Sequence, residues 1–263
     1  MGDHLNYKEI ARQIARQARI KIIEMIYRAQ TSHVGSNLSC VDIMTVLFEK
    51  MDLDKDRFVL SAGWKAASLY YFLWKKGRIT EEELNSYCQK GSKWIGLSEP
   101  IHKDISIAGG SMGLGLPGAI GLALAKKLKG EDGKVYVLMS DGELQCGTTW
   151  ESALIAAHHK LDNLIVIVDC NEFQAMGKIE GILNSTKGRK FDEFGWEEYM
   201  INGHDYESLK RLLFLVGKKD KPSYVHVFTI KGKGVSFMEN NNLYHYKQLS
   251  EEEYNKALEE LNG

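Results

Sequence analysis

Two short apolar runs, Val135-Tyr136-Val137-Leu138-Met139 and Leu164-Ile165-Val166-Ile167-Val168, lie one helix apart in this chain. Each is bounded by polar or small residues, as a buried strand is. Between them, Thr148-Thr149-Trp150-Glu151 places Thr148 and Glu151 three apart, and Trp150, Ala153, Leu154 and Ala157 follow at helical spacing. That pattern predicts a helix opened by a capping box. A strand, turn, helix, strand unit of this length folds with its two strands parallel, so both end on the same edge of one sheet. The first strand runs into Ser140-Asp141-Gly142-Glu143. The second runs into Asp169-Cys170-Asn171-Glu172-Phe173-Gln174, which puts Asn171 beside Asp141 although thirty positions separate them (171 − 141 = 30).

A carboxylate and an amide oxygen at one sheet edge suit a divalent cation that carries a phosphorylated ligand. Magnesium takes about six oxygens, commonly one or two from protein and the rest from phosphates and water. Asp141 and Asn171 supply side-chain ligands, and the carbonyl of Phe173, where the backbone leaves the sheet, supplies a third. Asp-Gly alone is among the commonest turn pairs and marks nothing beyond a strand-to-helix turn. The distant asparagine is what distinguishes this one.

These residues resemble the thiamine-diphosphate motif. Leu144-Gln145 with His158-His159-Lys160-Leu161-Asp162-Asn163-Leu164 is similar to the transketolase version. Thr31-Ser32-His33-Val34-Gly35-Ser36-Asn37-Leu38-Ser39, Phe58-Val59-Leu60-Ser61-Ala62-Gly63, Gly109-Gly110-Ser111-Met112-Gly113-Leu114-Gly115-Leu116 and the segment Lys231 to Asn241 resemble further transketolase segments, in the same order and over nearly the whole chain. The resemblance implies a mostly parallel α/β sheet with helices on both faces, the thiamine-diphosphate-binding fold. It implies thiamine diphosphate with Mg2+ (or Ca2+ or Mn2+) as cofactors. Asp141, Asn171 and Phe173 would hold the metal. Trp64, Gly110, Ser111, Met112, Gly142, Glu143, Asn171 and Lys231 would contact the cofactor, and His33 would face the substrate as the catalytic histidine.

A complete transketolase is more than twice as long as these 263 residues. The resemblance therefore implies the N-terminal half of a split enzyme, completed by a C-terminal transketolase-like subunit that carries the activating glutamate, in an α2β2 assembly. Residues 1–263 read as one domain: there are only 3 prolines and no low-complexity stretch that would mark a linker. With 34 Lys plus Arg against 35 Asp plus Glu, the net charge of −1 gives no electrostatic case for nucleic acid or an anionic membrane. No run approaches the roughly 20 apolar residues of a membrane span. The basic amphipathic N-terminal helix lacks the apolar core of a signal peptide. Cys40, Cys88, Cys146 and Cys170 lack metal-ligand spacing and read as reduced thiols, so a cytoplasmic location is expected.

Helices are predicted over 8–30, 40–50, 64–76, 80–88, 112–128, 148–160 and 206–217, with a solvated helix from Ser250 to Leu261. Strands are predicted near 57–60, 135–139, 164–168 and 224–230. The glycine cluster at Gly109–Gly115 does not fit a dinucleotide loop, because no strand leads directly into it and no acidic residue answers it about twenty positions on. Its glycines permit close backbone approach to a ligand.

The departures from transketolases concern the sugar pocket. Gly63-Trp64 stands where the family has Gly-His, and Gly96-Leu97-Ser98-Glu99-Pro100 where it usually has Gly-His-Pro. Cys146 replaces a glutamate that helps couple two active sites, and Ser140 replaces the first glycine of the cofactor motif. Small-molecule substrates with an altered donor are expected. The other readings are a subunit of a 2-oxoacid decarboxylating enzyme and a non-catalytic binding or regulatory relative. His158 and His159 read as structural, and His245 is left without a role.

Overall fold

The computed structural model describes residues 6–185, 188–217 and 220–263. In chain order the elements are α1 (Tyr7–Ala29), α2 (Val34–Ser39), α3 (Val41–Lys50), β1 (Arg57–Leu60), α4 (Ala66–Lys75), α5 (Glu81–Asn85), α6 (Gly115–Lys129), β2 (Val135–Ser140), α7 (Gly147–His158), β3 (Leu164–Cys170), β4 (Phe173–Gln174), β5 (Gly177–Lys178), α8 (Ile179–Ile182), β6 (Glu197–Asn202), α9 (Tyr206–Leu215), β7 (Ser223–Phe228) and α10 (Glu251–Asn262).

Five strands form one sheet in the order β1-β2-β3-β7-β6, parallel throughout, while β4 and β5 make a separate two-residue hairpin. The sheet is buried on both faces, and strand residues alternate between two cores. Phe58, Leu60, Tyr136, Leu138, Ile165, Ile167, Val225 and Val227 face α1, α3, α4 and α9. Val59, Val135, Val137, Met139, Leu164, Val166 and Val168 face α6 and α7. This α/β architecture is the expected one, with helices on both faces of a parallel sheet.

Register sets where the chemistry lies. Ser140 pairs with Asp169, and Cys170 with Phe228, so β2, β3 and β7 end at one level. Asp141, Asn171 and the segment carrying Lys231 leave the sheet together there.

Several sequence expectations differ from the structure. The helix expected to open on a Thr148–Glu151 capping box starts at Gly147, with Cys146 as an N-cap that makes no side-chain bond. The reciprocal box belongs to Ser140 and Glu143 instead. Thr148 is the second residue of that helix, too far in to cap it, and the next hydroxyl, of Thr149, donates to the carbonyl of Glu143 at 2.7 Å. Second, β6 (Glu-Glu-Tyr-Met-Ile-Asn) has no counterpart among the expected strands, because an edge strand with exposed and acidic positions has a weak apolar signal. Third, the helix expected from 112 begins at Gly115, and the Gly-rich turn before it remains irregular. The helix α2 is also absent from the sequence expectation; its six residues are too few for a periodicity.

Candidate functional site

Beyond the carboxyl ends of β2 and β3 lies a cleft of about 360 Å³. His33, Trp64, Leu97, Gly110, Met112, Asp141, Gly142, Asn171 and Phe173 all line it, so the structure gathers most of the expected site residues. Lys231 reaches its wall through His245: the ammonium lies 2.9 Å from His245 Nδ1 and 2.8 Å from Asn242 Oδ1. Two expected residues stand apart. Ser111 is exposed and does not line the cleft. The Glu143 side chain turns away from it into the fold, accepting from Ser140 N at 2.8 Å, from Gly113 N at 3.2 Å and from the Ser61 hydroxyl. Glu143 is therefore a clasp that ties the turn after β2 to the end of β1 and to the glycine loop. Only its backbone could serve a ligand.

Asp141 is 1% exposed and fixed by two backbone amides, Gly142 N–H to Oδ1 at 2.9 Å and Glu172 N–H to Oδ2 at 2.7 Å. Burial, and next the negative charge of Asp169, push its carboxyl up to about 7, against those amides and Lys65. A buried carboxyl so raised is short of positive charge, which a cation bound there would supply. Asn171 is oriented by its neighbours: Oδ1 accepts from Phe173 N at 3.1 Å, and Nδ2 donates to Asp169 Oδ2 and Ser39 Oγ, both at 3.4 Å. Its oxygen keeps a lone pair for a further partner. No group of three His, Cys, Asp or Glu side chains among the described residues could hold a metal ion. A cation here would rest on one carboxylate, one amide, a backbone carbonyl and its own ligand's oxygens, the set that suits magnesium.

An orphaned donor fits an anionic ligand. Gln174 Nε2 is buried with no hydrogen-bond partner among the described residues, and it lies beside Gly142: a Cβ built on that glycine would sit 3.2 Å from it. Buried donors are satisfied in nearly every native structure, so this one calls for an acceptor in the cleft.

Beneath the site, Lys65 and Asp169 form a buried ion pair; both side chains are at most 1% exposed. Burial opposes charge on each, and the partner's charge outweighs it, holding Lys65 above and Asp169 below the usual range. Ser39 Oγ donates to Asp169 Oδ2 at 2.5 Å, and the Thr229 hydroxyl donates to Oδ1. Among the described residues, Lys231 makes no such carboxylate contact. Burial, with the neighbouring Lys65, lowers its ammonium to about 8. Burial, then Lys231, lowers His33 to about 4 and His245 to about 3, so both imidazoles are neutral at pH 7. His33 sits in the left-handed region (φ 71°), heads α2, and shares a 2.7 Å hydrogen bond between Nδ1 and Ser32 Oγ. The rings of His33 and His245 meet edge-on at 5.0 Å.

The opposite wall is apolar. Gly63 and Gly109 approach so closely that a Cβ on Gly63 would fall 2.3 Å from the carbonyl carbon of Gly109. Gly110 N–H donates to Ser61 O at 3.1 Å and Gly109 N–H to Ser98 O at 2.8 Å. These bonds hold Leu97 and Met112 over the end of β1, near Trp64.

Sequence reasoning did not single out Lys65, Asp169, Gln174 or Tyr246 and left His245 unassigned; all but Asp169 line the cleft. The one available signal was Asp169, a carboxylate inside an otherwise apolar strand.

A parallel sheet opening at its carboxyl edge onto a cleft with one polar and one apolar wall defines an α/β ligand-binding domain. Residues 10–262 match the family described as "Transketolase, thiamine diphosphate binding domain", and the chain belongs to that family. It is 37% identical over 272 residues to an apulose-4-phosphate transketolase subunit of Actinobacillus succinogenes, covering 98% of both chains. It is 32% identical over 257 residues to the 6-deoxy-6-sulfo-D-fructose transketolase subunit SqwG of a Clostridium species, covering 91% of each. Among solved structures, transketolase from Campylobacter jejuni superposes with a TM-score of 0.91 at 33% identity, over 96% of this chain and 43% of that one. The chain thus spans less than half of that transketolase and nearly all of the subunit-named relatives.

Proposed function

We propose that this chain is the diphosphate-binding subunit of a two-component transketolase-like enzyme. With a C-terminal partner that carries the activating glutamate, in an α2β2 assembly, it moves a two-carbon unit from a ketose or 2-oxo acid donor to an aldehyde. The observation that carries this reading is the convergence of Asp141, Asn171, Phe173 and the orphaned Gln174 amide in one cleft. Its support among relatives is that two matched over nearly their full length are named as transketolase subunits.

Asp141, Asn171 and the Phe173 carbonyl would hold magnesium, for which Ca2+ or Mn2+ could substitute. Gln174 Nε2 and the Glu143 amide would face diphosphate oxygens beside Gly142, whose own amide is engaged by Asp141, and Trp64, Gly110, Met112 and Lys231 would complete the cofactor contacts. Thiamine diphosphate, when bound, supplies the carbanion and the electron sink for breaking the donor's carbon–carbon bond. The chain's own groups do the rest. His33, kept neutral by burial and Lys231, has Nε2 available to exchange a proton with a substrate hydroxyl. Lys231 places positive charge where an anionic ligand needs it, and such a ligand would restore its depressed basicity.

Trp64 and Leu97 make the donor wall apolar where hydroxyl-binding histidines would discriminate steeply. A deoxygenated or otherwise modified sugar, or a simple 2-oxo acid, is the donor class that follows. Trp64→His should shift preference towards ordinary ketose phosphates by about tenfold or more in kcat/KM; unchanged preference would count against the assignment. No helix among the described residues is long and apolar enough to cross a membrane, and a single-domain, cytoplasmic protein is the setting proposed.

The test is calorimetric titration of thiamine diphosphate with magnesium into this chain, alone and mixed with the candidate partner. Tight binding only in the mixture is expected. Absence of binding in both favours the non-catalytic reading, which Trp64, Leu97 and Cys146 motivate. Release of CO2 from a 2-oxo acid without an aldehyde acceptor would favour the decarboxylating one.

A further inference from the structure

A second buried polar cluster lies outside the cleft, and it holds the segment that delivers Lys231. Asp42 of α3 is 3% exposed and accepts three hydrogen bonds: from Arg19 Nη2 of α1 at 2.8 Å, from His204 Nδ1 at 2.7 Å and from the Tyr206 hydroxyl at 2.5 Å. Burial alone would raise its carboxyl. Arg19, His204 and Tyr206 instead hold it well below the ordinary range, so it is an anion at neutral pH. None of Arg19, Asp42, His204 or Tyr206 lines the cleft.

Two arms run from this cluster to the backbone on either side of Lys231. His204 Nε2 lies 2.9 Å from the Ile230 backbone nitrogen, and Arg19 Nε lies 2.8 Å from the Lys233 carbonyl. A backbone N–H can only donate, so Nε2 must present its lone pair. The proton of the imidazole is therefore on Nδ1, where it donates to the Asp42 carboxylate. The chain of bonds reads Ile230 N–H to His204, His204 to Asp42, Arg19 to Asp42, and Arg19 to Lys233. It closes around Lys231 without touching its side chain. Gly232 N–H adds a bond to Gly35 O at 2.9 Å. The Lys231 side chain, with no exposed surface, then extends to His245 at the wall of the cleft and to Asn242 beside it.

We propose that His204 is a positioning residue for the cleft: in its Nδ1–H form it anchors the 230–233 backbone to Asp42 and so fixes where the Lys231 ammonium sits. This rests on the reading that Lys231 serves the cofactor cleft. A lysine has a long, flexible stem, and its ammonium can be pre-placed only if the backbone that bears it is immobile. Near the cleft, Nζ is held by Asn242 and His245 of the 3-10 turn at Asn242–His245, and the Lys231 carbonyl accepts from Asn240 N–H at 2.9 Å; neither contact ties the 230–233 segment to α1 and α3, as the Asp42 cluster does.

The experiment uses the assembled complex and two readouts. His204→Phe keeps ring bulk and removes both bonds, whereas His204→Gln retains a donor and an acceptor on a planar group. Hydrogen exchange of peptides covering 229–234 should be faster in H204F than in the wild-type protein and close to wild type in H204Q. In calorimetry with thiamine diphosphate and magnesium, H204F should weaken binding about tenfold, H204Q less, and H204F should add no further loss once Lys231 is replaced by methionine. A residue that merely stabilises the fold would weaken binding equally in both backgrounds. Unchanged exchange, an H204F complex that binds as the wild type does, additive losses, or K231M binding as the wild type does would each overturn the proposal. A wild-type complex that binds no cofactor would instead remove the proposed function, and this inference with it.

Discussion

Asp141 is a carboxyl that the folded chain prefers to keep protonated. Its folded value of about 7 lies above the ordinary 3.8, so the stability it contributes is present at acid pH and is lost as pH rises through about 7. A cation reverses that preference, and protons must compete with it. Magnesium-dependent binding of thiamine diphosphate to the complex should therefore weaken as pH falls from about 8 to about 6. Asp141→Asn should lower affinity about 100-fold and flatten that dependence in calorimetry at several pH values. His226 shows the opposite sign. Burial lowers it from 6.5 to about 4, so its contribution is complete above 6.5 and is lost as pH falls towards 4. His226→Phe should flatten the fall in melting temperature across that window. At this scale the sequence was legible where spacing carries the chemistry. Asp141 and Asn171 announce themselves because a strand–helix–strand unit fixes their meeting. Lys65, Gln174 and His245 were silent, because a buried lysine opposite Asp169 or an amide without a partner acquires meaning only from neighbours far away in sequence.

Elements were legible in proportion to their apolar contrast. The strands β1, β2, β3 and β7 are nearly all buried, and the sequence places each to within two residues at either end. The edge strand β6 alternates towards solvent and carries two glutamates, so it lacks that contrast. Caps were less readable than cores, because a Thr-x-x-Glu spacing does not fix where a helix starts: Thr148 lies inside α7, whose N-cap is Cys146. Where the pattern and the geometry agree, the effect of one residue can be assigned. Ser250 caps α10, accepting from Glu253 N–H at 3.2 Å while Glu253 Oε2 accepts from Ser250 N–H at 3.0 Å. Ser250→Ala should cost about 1 kcal/mol. Hydrogen exchange should locate that loss in α10, because the substitution leaves the five-stranded sheet untouched.

For the whole molecule, the proposed assembly makes the cleft half of an enclosure. Met112, Met176, Leu243 and Tyr246 are large apolar side chains at or beside its mouth, each exposed by more than 45%. Apolar side chains clustered in this way mark a surface made to be covered. Leu243→Glu should leave the stability of the isolated chain within about 0.5 kcal/mol of the parent and still weaken association with the partner subunit in sedimentation or titration. The order of the sheet has a different consequence, in time. The strand β3 pairs with β7 from Ile165 opposite Ser223, 58 residues later (223 − 165 = 58), and among the described residues β6 pairs with β7 alone. At about 5–20 residues per second, a ribosome needs about 3–12 s to make that interval. For those seconds the nascent chain carries an open, strongly apolar strand edge that neighbouring chains can occupy. The yield of this protein in a producing cell should thus depend on how fast it is translated and how crowded its polysomes are, and faster passage through residues 165–223 should favour the folded product over the aggregate.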